Sequence, residues 1–276
     1  MKLQLRKFDM ASIGDDKVVV MIGKRDTGKS YLVRDLLYRH RDIPIGTVIS
    51  ATEHANKFYD SIVPNIFIHD EFTPAITSNV LKRQHLIIKR CRKEIKQTGG
   101  TDIDPRAFLI MDDCLADSSS WQKDKSIRSC FMNGRHYKLL FVLTSQYVLG
   151  LGPQLRTNVD FAFILRENII SNRRRIYESY CGMFPTFELF CQVLDQTTED
   201  FCCLVINNNA KSNKLEDQVF WYKAEPCPPF RMGSAHFWQL QEEAGSDSSD
   251  EEELFDVSAY KGKKRHPQVN VRKSLV

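Results

Sequence analysis

MIGKRDTGKSYLVRDLL, residues 21–37, decides how this chain is read. Within it Gly23-Lys24-Arg25-Asp26-Thr27-Gly28-Lys29-Ser30 matches G-x-x-x-x-G-K-[ST], with the apolar run VVVMI before it and a helical pattern behind. Strand, glycine-containing turn and helix form the context in which this motif cradles phosphates. Gly23 is expected to permit a sharp exit from the strand, and Gly28 to let backbone N–H groups approach an anion. The helix N-terminus adds partial positive charge. Lys29 should then reach the β- and γ-phosphates of ATP, and Ser30 should ligate Mg²⁺. The inner positions Lys24, Arg25 and Asp26 are bulkier and more charged than many such loops use, and with Thr27 they complete the expected nucleotide cradle.

Outward from this loop, apolar β-branched runs alternate with helical patterns. KVVVMIG precedes YLVRDLLYRH; GTVIS precedes a short helix around 54–61; NIFIH precedes a long helix near 76–97. Further strands are predicted at AFLIM (107–111), LLFVLT (139–144), DFAFIL (160–165) and FCCLVI (201–206), with QVFWY (218–222) as an edge strand. Helices are predicted near 121–131, 167–180 and 186–196. Such alternation argues an α/β fold with a mostly parallel sheet. In the long helix Ile76, Val80, Ile87, Ile88, Cys91 and Ile95 recur at three- and four-residue spacing, which leaves Lys82, Arg83, Lys89, Arg92 and Lys93 mostly on other faces.

A phosphate loop needs an acidic strand end to hold the metal's water shell, and AFLIMDD supplies it. Ligands collect at the C-terminal edge of open parallel sheets. Asp112 is therefore assigned to Mg²⁺ and Asp113 to polarising an attacking water. A GTPase would show D-x-x-G after this strand; here Leu115 and Ala116 stand three residues beyond the aspartates, and NKLE (213–216) only loosely imitates a guanine-reading motif. Strand patterns intervene between the loop and the aspartates, as in P-loop ATPases that insert a strand between the two motifs, which favours hydrolysis over kinase transfer. LLFVLTSQ ends another strand in Thr144, Ser145 and Gln146. A glutamine amide both donates and accepts, so Gln146 beside a γ-phosphate would orient water and report the phosphate's presence.

Composition bounds the rest. A chain of 276 residues, 42% hydrophobic and 27% charged, is ordinary for a soluble α/β domain, with no apolar run approaching the ~20 residues of a membrane span. The charged N-terminus lacks a secretory signal pattern, which predicts a reducing compartment. The eight cysteines form no C-x-x-C pair and mostly sit in apolar runs, as buried thiols do. A P-loop ATPase domain is expected over 1–240, followed by a disordered tail over 241–276 that is first acidic, then basic. The tail holds 8 acidic and 6 basic residues, leaving 33 basic against 27 acidic in the body, an excess suited to a polyanion. Ser246, Ser248 and Ser249 offer a phosphorylatable switch and KGKKR a nuclear address, beside the plainer reading of a solvating tail. Trp221, Tyr222, Phe237 and Trp238 could serve as stacking platforms for bases, but aromatics dominate cores and interfaces, so core or subunit packing is the favoured reading.

GKRDTGKS, FLIMDD, NGRHYKLLFVLTSQY and LRTNVDFAFIL, in this order and at these separations, resemble the genome-packaging ATPases of large DNA viruses of eukaryotes, within the FtsK–HerA superfamily. The resemblance covers roughly residues 10–222. It implies a RecA-like sheet with helices on both faces, assembled as a pentameric or hexameric ring that pulls double-stranded DNA into a capsid. A capsid or portal protein would be a partner, and the work would lie in the host cell's virus factory or nucleus, or in the virion. It also implies Gln146 as the sensor and an arginine finger reaching a neighbour's ATP, for which Arg135 is slightly favoured over Arg156. Arg173, Arg174 and Arg175 in SNRRRIYESY cannot all face one way; a DNA-lining role and plain solvation stay open for them. Two rivals also stay open: a small-molecule kinase, and a nucleotide-gated assembly protein that barely turns over.

Overall fold

The computed structural model describes residues 3–114, 121–148 and 151–247, with side chains as far as 243. In chain order the elements are β1 (Arg6–Lys7), β2 (Val18–Ile22), α1 (Lys29–Arg39), β3 (Gly46–Ser50), α2 (Glu53–Asn56), β4 (Ile68–His69), α3 (Pro74–Thr98), β5 (Ala107–Asp112) and α4 (Lys125–Asn133). There follow β6 (Leu139–Ser145), α5 (Pro153–Arg156), β7 (Phe161–Ile164), α6 (Ile170–Tyr180), α7 (Phe187–Thr197), β8 (Cys202–Asn207), α8 (Leu215–Gln218), β9 (Val219–Lys223) and α9 (Ala235–Asp247).

The described strands form one sheet in the order β1-β9-β8-β7-β2-β6-β5-β3-β4, in which β8 alone runs against its neighbours. Alternate residues of the central strands feed two separate cores. Val18, Val20 and Ile22 face one core with Val80 of α3, Ile127 of α4, Ile176 of α6 and Phe190 of α7. Val19 and Met21 face the other with Leu32, Val33, Leu36 and Leu37 of α1. Burial on both faces is why these strands read as unbroken apolar runs rather than as an alternation. The expected α/β sheet, mostly parallel and covered on both faces, is the observed one.

Several local expectations are corrected. The helix expected around 54–61 stops after one turn, because Lys57 adopts a left-handed φ of 47° and the Glu53 carboxylate caps the backbone N–H groups of Tyr59 and Asp60 instead. NIFIH is a short 3-10 turn (Asn65–Phe67) followed by the two residues of β4. The strand from QVFWY is not at the edge: β1 pairs outside it, Arg6 opposite Phe220 and Lys7 opposite Trp221. The strand that separates the loop strand β2 from the aspartate strand β5 in space is β6, which comes after both in sequence; GTVIS lies beyond β5. α9 crosses residue 240 and continues to Asp247; Ser248, Ser249 and the KGKKR segment lie outside the described residues.

Of the four aromatics read as packing, Tyr222 and Trp238 are buried and Trp221 and Phe237 half-buried. Tyr222 also fastens the loop-bearing helix to the far side of the sheet. Its hydroxyl donates to the buried Asp35 carboxylate of α1 at 2.5 Å, which also accepts from the backbone N–H of Glu225 at 2.9 Å and Nε of Arg39 at 3.2 Å.

Candidate functional site

The site lies where β2, β5 and β6 end side by side. The turn after β2 closes on itself: Thr27 Oγ1 donates to the carbonyl of Lys24 at 2.7 Å, and Asp26 and Gly28 take left-handed φ values of 61° and 96°. Gly28 is the residue before α1, and no side chain caps the helix there, so the first backbone N–H groups of α1 stay available to an anion. The reason for Gly23 differs from the expected one. Its backbone has no unusual φ, but a Cβ there would lie 2.7 Å from Thr27 Oγ1 and 2.8 Å from Leu165 Cδ1. Close packing under the loop, rather than a sharp turn, requires the glycine.

Register brings the other groups in. Asp112 pairs with Ser50 on one side and Thr144 on the other, which sets the end of β5 level with the end of β6. Lys29 Nζ, buried at 9% exposure, lies 2.7 and 2.6 Å from the two carboxylate oxygens of Asp113, and Gln146 Nε2 donates to that carboxylate at 3.0 Å. Asp113 has a left-handed φ of 50°, in the sparsely populated region where strain collects at working sites. Asp112 accepts from the Thr144 hydroxyl. Burial lifts the Asp112 carboxyl above its usual range; the Thr144 hydrogen bond opposes that shift and the Asp113 charge adds to it. The hydroxyl of Tyr59 is buried beside the Asp112 carboxylate, so polar groups gather at the spot where a metal's water shell would need acceptors and donors.

Lys24, Arg25, Asp26, Gly28, Lys29, Ser30, Asp112, Asp113 and Gln146 thus line one cavity of about 820 Å³. Gly23 and Thr27 lie beneath and within the loop rather than on the cavity wall. Arg135 and Arg156 are not in it. Arg135 is exposed in the turn before β6, and since β6 rises about 3.3 Å per residue, roughly 20 Å separates it from Gln146. Arg156 ends α5 before β7, half-buried beside Tyr180. Both therefore belong to the edge of the sheet opposite their own loop.

Sequence reasoning missed part of the wall. Tyr31 and Phe201 line the cavity while 75% and 65% exposed, and Phe201 packs over the Gly28 position. Asp200 and Phe201 are consecutive residues with left-handed φ values of 50° and 62°, a conformation foreign to an aromatic residue and invisible in the string EDFCC. Glu167 was missed as well. Its carboxylate meets Lys24 Nζ at 2.6 Å and accepts from Ile169 N and Asn172 Nδ2, which hold it below the usual carboxylate range against the opposing effect of burial. An acidic residue directly after an apolar strand, ILRENII, was its only signal.

The arginine run is mostly structural. Arg173 is buried, donates to both oxygens of Asp195 at 2.9 and 2.5 Å and to the Glu167 carbonyl at 2.6 Å. Arg174, exposed, stacks over Phe187 at 4.2 Å, and Arg175, also exposed, has no such contact among the described residues.

Three relatives are viral. The chain is 44% identical over 236 residues to uncharacterized protein L437 of Acanthamoeba polyphaga mimivirus, covering 86% of this chain and 82% of that protein. It is 41% identical over 224 residues to uncharacterized protein 075L of Invertebrate iridescent virus 6, covering 79% and 81%. It is 34% identical over 232 residues to uncharacterized protein 015R of Frog virus 3, covering 82% and 68%. No protein-family model matches the chain. Among solved structures, the genome packaging NTPase B204 of Sulfolobus turreted icosahedral virus 2 in complex with AMP superposes with a TM-score of 0.50 at 17% identity, over 78% of this chain and 100% of that one. The pCW3 conjugation coupling protein TcpA with ATPγS superposes with a TM-score of 0.52 at 12% identity, over 76% and 60%. At these identities the likeness is one of fold, that of the P-loop ATPases.

Proposed function

This chain belongs to the family of large-DNA-virus proteins that includes those mimivirus, iridescent-virus and frog-virus relatives, and from that premise we propose that it is an ATP-hydrolysing motor moving double-stranded DNA into a capsid. The observation that carries the reading is the convergence of Lys29, Asp113 and Gln146 within hydrogen-bond distance at the ends of three adjacent strands. The nucleotide-bound proteins among the structural neighbours share this fold, and one is titled a genome packaging NTPase.

In the reading we favour, the triphosphate enters between the α1 N-terminus and Asp113, and Lys29 exchanges its carboxylate partner for phosphate oxygens. That exchange frees Asp113 and Gln146 to hold a water in line with the γ-phosphorus, Asp113 as the acceptor of its proton and Gln146 as its orienter. Ser30 and Asp112 would hold Mg²⁺, with the buried Tyr59 hydroxyl beside Asp112; the metal would spread the charge of the β- and γ-oxygens. The sugar and base would lie toward Tyr31 and Phe201, whose exposed rings suit stacking.

Developing charge on the transferred phosphoryl needs a guanidinium, and no described arginine other than the loop's own Arg25 lines the cavity. A neighbouring copy presenting its opposite edge would supply one. Arg135 suits this better than Arg156, being exposed where Arg156 is half-buried beside Tyr180. Hydrolysis would then depend on ring closure, and packaging a whole genome requires indifference to base identity, which phosphate contacts provide.

The test is ATP turnover by purified protein across protein concentration, with and without duplex DNA. Turnover per subunit that rises with concentration and again with duplex is expected. Turnover indifferent to both would overturn the motor reading.

A further inference from the structure

The long helix α3 carries a flank that the nucleotide site does not use. Lys82, Lys89, Arg92, Lys93 and Lys96 recur at spacings of three, four and seven residues, so one flank of the helix collects them. Lys89, Arg92, Lys93 and Lys96 line a groove of about 1000 Å³ between α3 and the turn at 133–137, and Lys82 lines an adjoining hollow with Lys125 of α4. All six are exposed, no described carboxylate lines either hollow, and none of the six has a described ion-pair partner. Glu94, the acidic residue of this part of α3, lies on the other flank, where it takes Arg90 at 3.2 Å and Thr101 at 2.7 Å.

Like charges three and four apart work against a helix. A helix that keeps four such pairs among Lys89, Arg92, Lys93 and Lys96, with no counter-charge on this flank among the described residues, is suited to an external polyanion. The run from Lys89 to Lys96 rises about 10 Å, near three base-pair steps of a duplex at 3.4 Å each. By contrast, in the run Arg173–Arg174–Arg175 the first two spend their charge internally, on Asp195 and on the Phe187 ring.

We propose that this groove on α3 seats the sugar-phosphate backbone of double-stranded DNA without reading its sequence. The inference rests on the DNA-motor reading above and names the surface through which the duplex is held. The contacts are charge to charge, so binding must weaken with salt, and each phosphate contact adds close to 0.9 to the slope of log affinity against log salt.

The experiment measures anisotropy of a labelled mixed-sequence duplex over a salt series for three full-length proteins: wild type, K89Q/R92Q/K96Q, and K211Q/K214Q/R175Q, which removes three exposed charges elsewhere. Melting curves of all three check folding, and sedimentation checks assembly. The groove variant is expected to lose about 2 to 3 from the salt slope, while the comparison variant keeps the wild-type slope. Equal losses in both variants, or no loss in the groove variant while wild type binds duplex, overturns the groove and leaves the motor reading standing. A groove variant that keeps its slope but no longer assembles marks the flank as a subunit contact and likewise overturns it. Wild type that binds no duplex at any salt, with or without ATPγS, overturns both.

Discussion

The cavity at the carboxyl edge and the α3 flank at the amino edge manage charge in opposite ways, although elsewhere on the amino edge Arg106 pairs with Asp15, Asp42 and Asp104, and Lys17 with Asp160. At the carboxyl edge the ionic groups answer one another within the chain: Lys29 with Asp113, Lys24 with Glu167, Asp112 with the Thr144 hydroxyl. At the amino edge, Arg135 and the α3 flank stand exposed with no described acidic partner. A region that neutralises itself is stable alone and must exchange partners to work; one that does not is completed from outside. On the proposed function, the cavity waits for ATP, and Arg135 and the α3 flank wait for a neighbour's ATP and for DNA.

The largest expected effect breaks the comparison at the amino edge. Arg135→Ala should lower ATP turnover of the assembled protein by about 10³–10⁵, the range a finger in trans supplies. Mixing it with Lys29→Ala subunits should restore part of the rate, because each variant then lends the group the other lacks. A steady-state assay on mixed and unmixed samples reads this; full activity of Arg135→Ala beside a dead Arg156→Ala would move the finger to Arg156. At the carboxyl edge, Gln146→Ala should cost kcat about 10²-fold, as for loss of one positioned donor. Nucleotide affinity measured by titration should change little, since the role claimed is water placement.

Stability changes sharpen the contrast on a smaller scale. Asp35→Ala removes the acceptor shared by Tyr222, Arg39 and the Glu225 N–H, and should lower unfolding free energy by about 3 kcal/mol in urea melts, as for breaking a buried charged network. The corresponding change on the α3 flank, Lys93→Gln, should fall within about 0.5 kcal/mol of wild type. Equal costs would erase the distinction between a self-completed and an open region.

The smallest effect is one of pH. Because burial raises the folded-state pKa of Asp112, the folded chain holds that proton more tightly than the unfolded chain. Stability from this group is therefore present below its unfolded pKa and is lost as pH rises through the raised value. Asp112→Asn abolishes the penalty on the ionised form, so its Tm should exceed wild type at pH 7, with the gap closing as pH falls toward the carboxylate range. A gap that widens on acidification would contradict the assigned environment.

Much of the site was legible because its parts are local or punctuated. GKRDTGKS needs only eight contiguous residues and a flanking strand and helix, and the ends of AFLIMDD and LLFVLTSQ are marked by an abrupt change from apolar to polar residues. Phe201 and Glu167 were not legible. One depends on two successive left-handed residues, the other on a loop brought across from β7 to meet Lys24. The three arginines of SNRRRIYESY stayed undecided in the sequence, since a run of like charge says nothing of the Asp195 that waits across the packed pair α6 and α7.

What the sequence settled alone was the glycine-containing turn between β2 and α1, the alternation of strand and helix, and the buried character of the central strands. These follow from spacing and hydrophobicity within ten or so residues. What only the tertiary structure decided was pairing and sidedness: that Asp113 meets Lys29 across 84 positions, that β6 rather than GTVIS lies between their strands, and that one flank of α3 has no counter-charge among the described residues. Those outcomes depend on strand order and on which faces are covered, and such long-range choices leave no local trace in the order of residues.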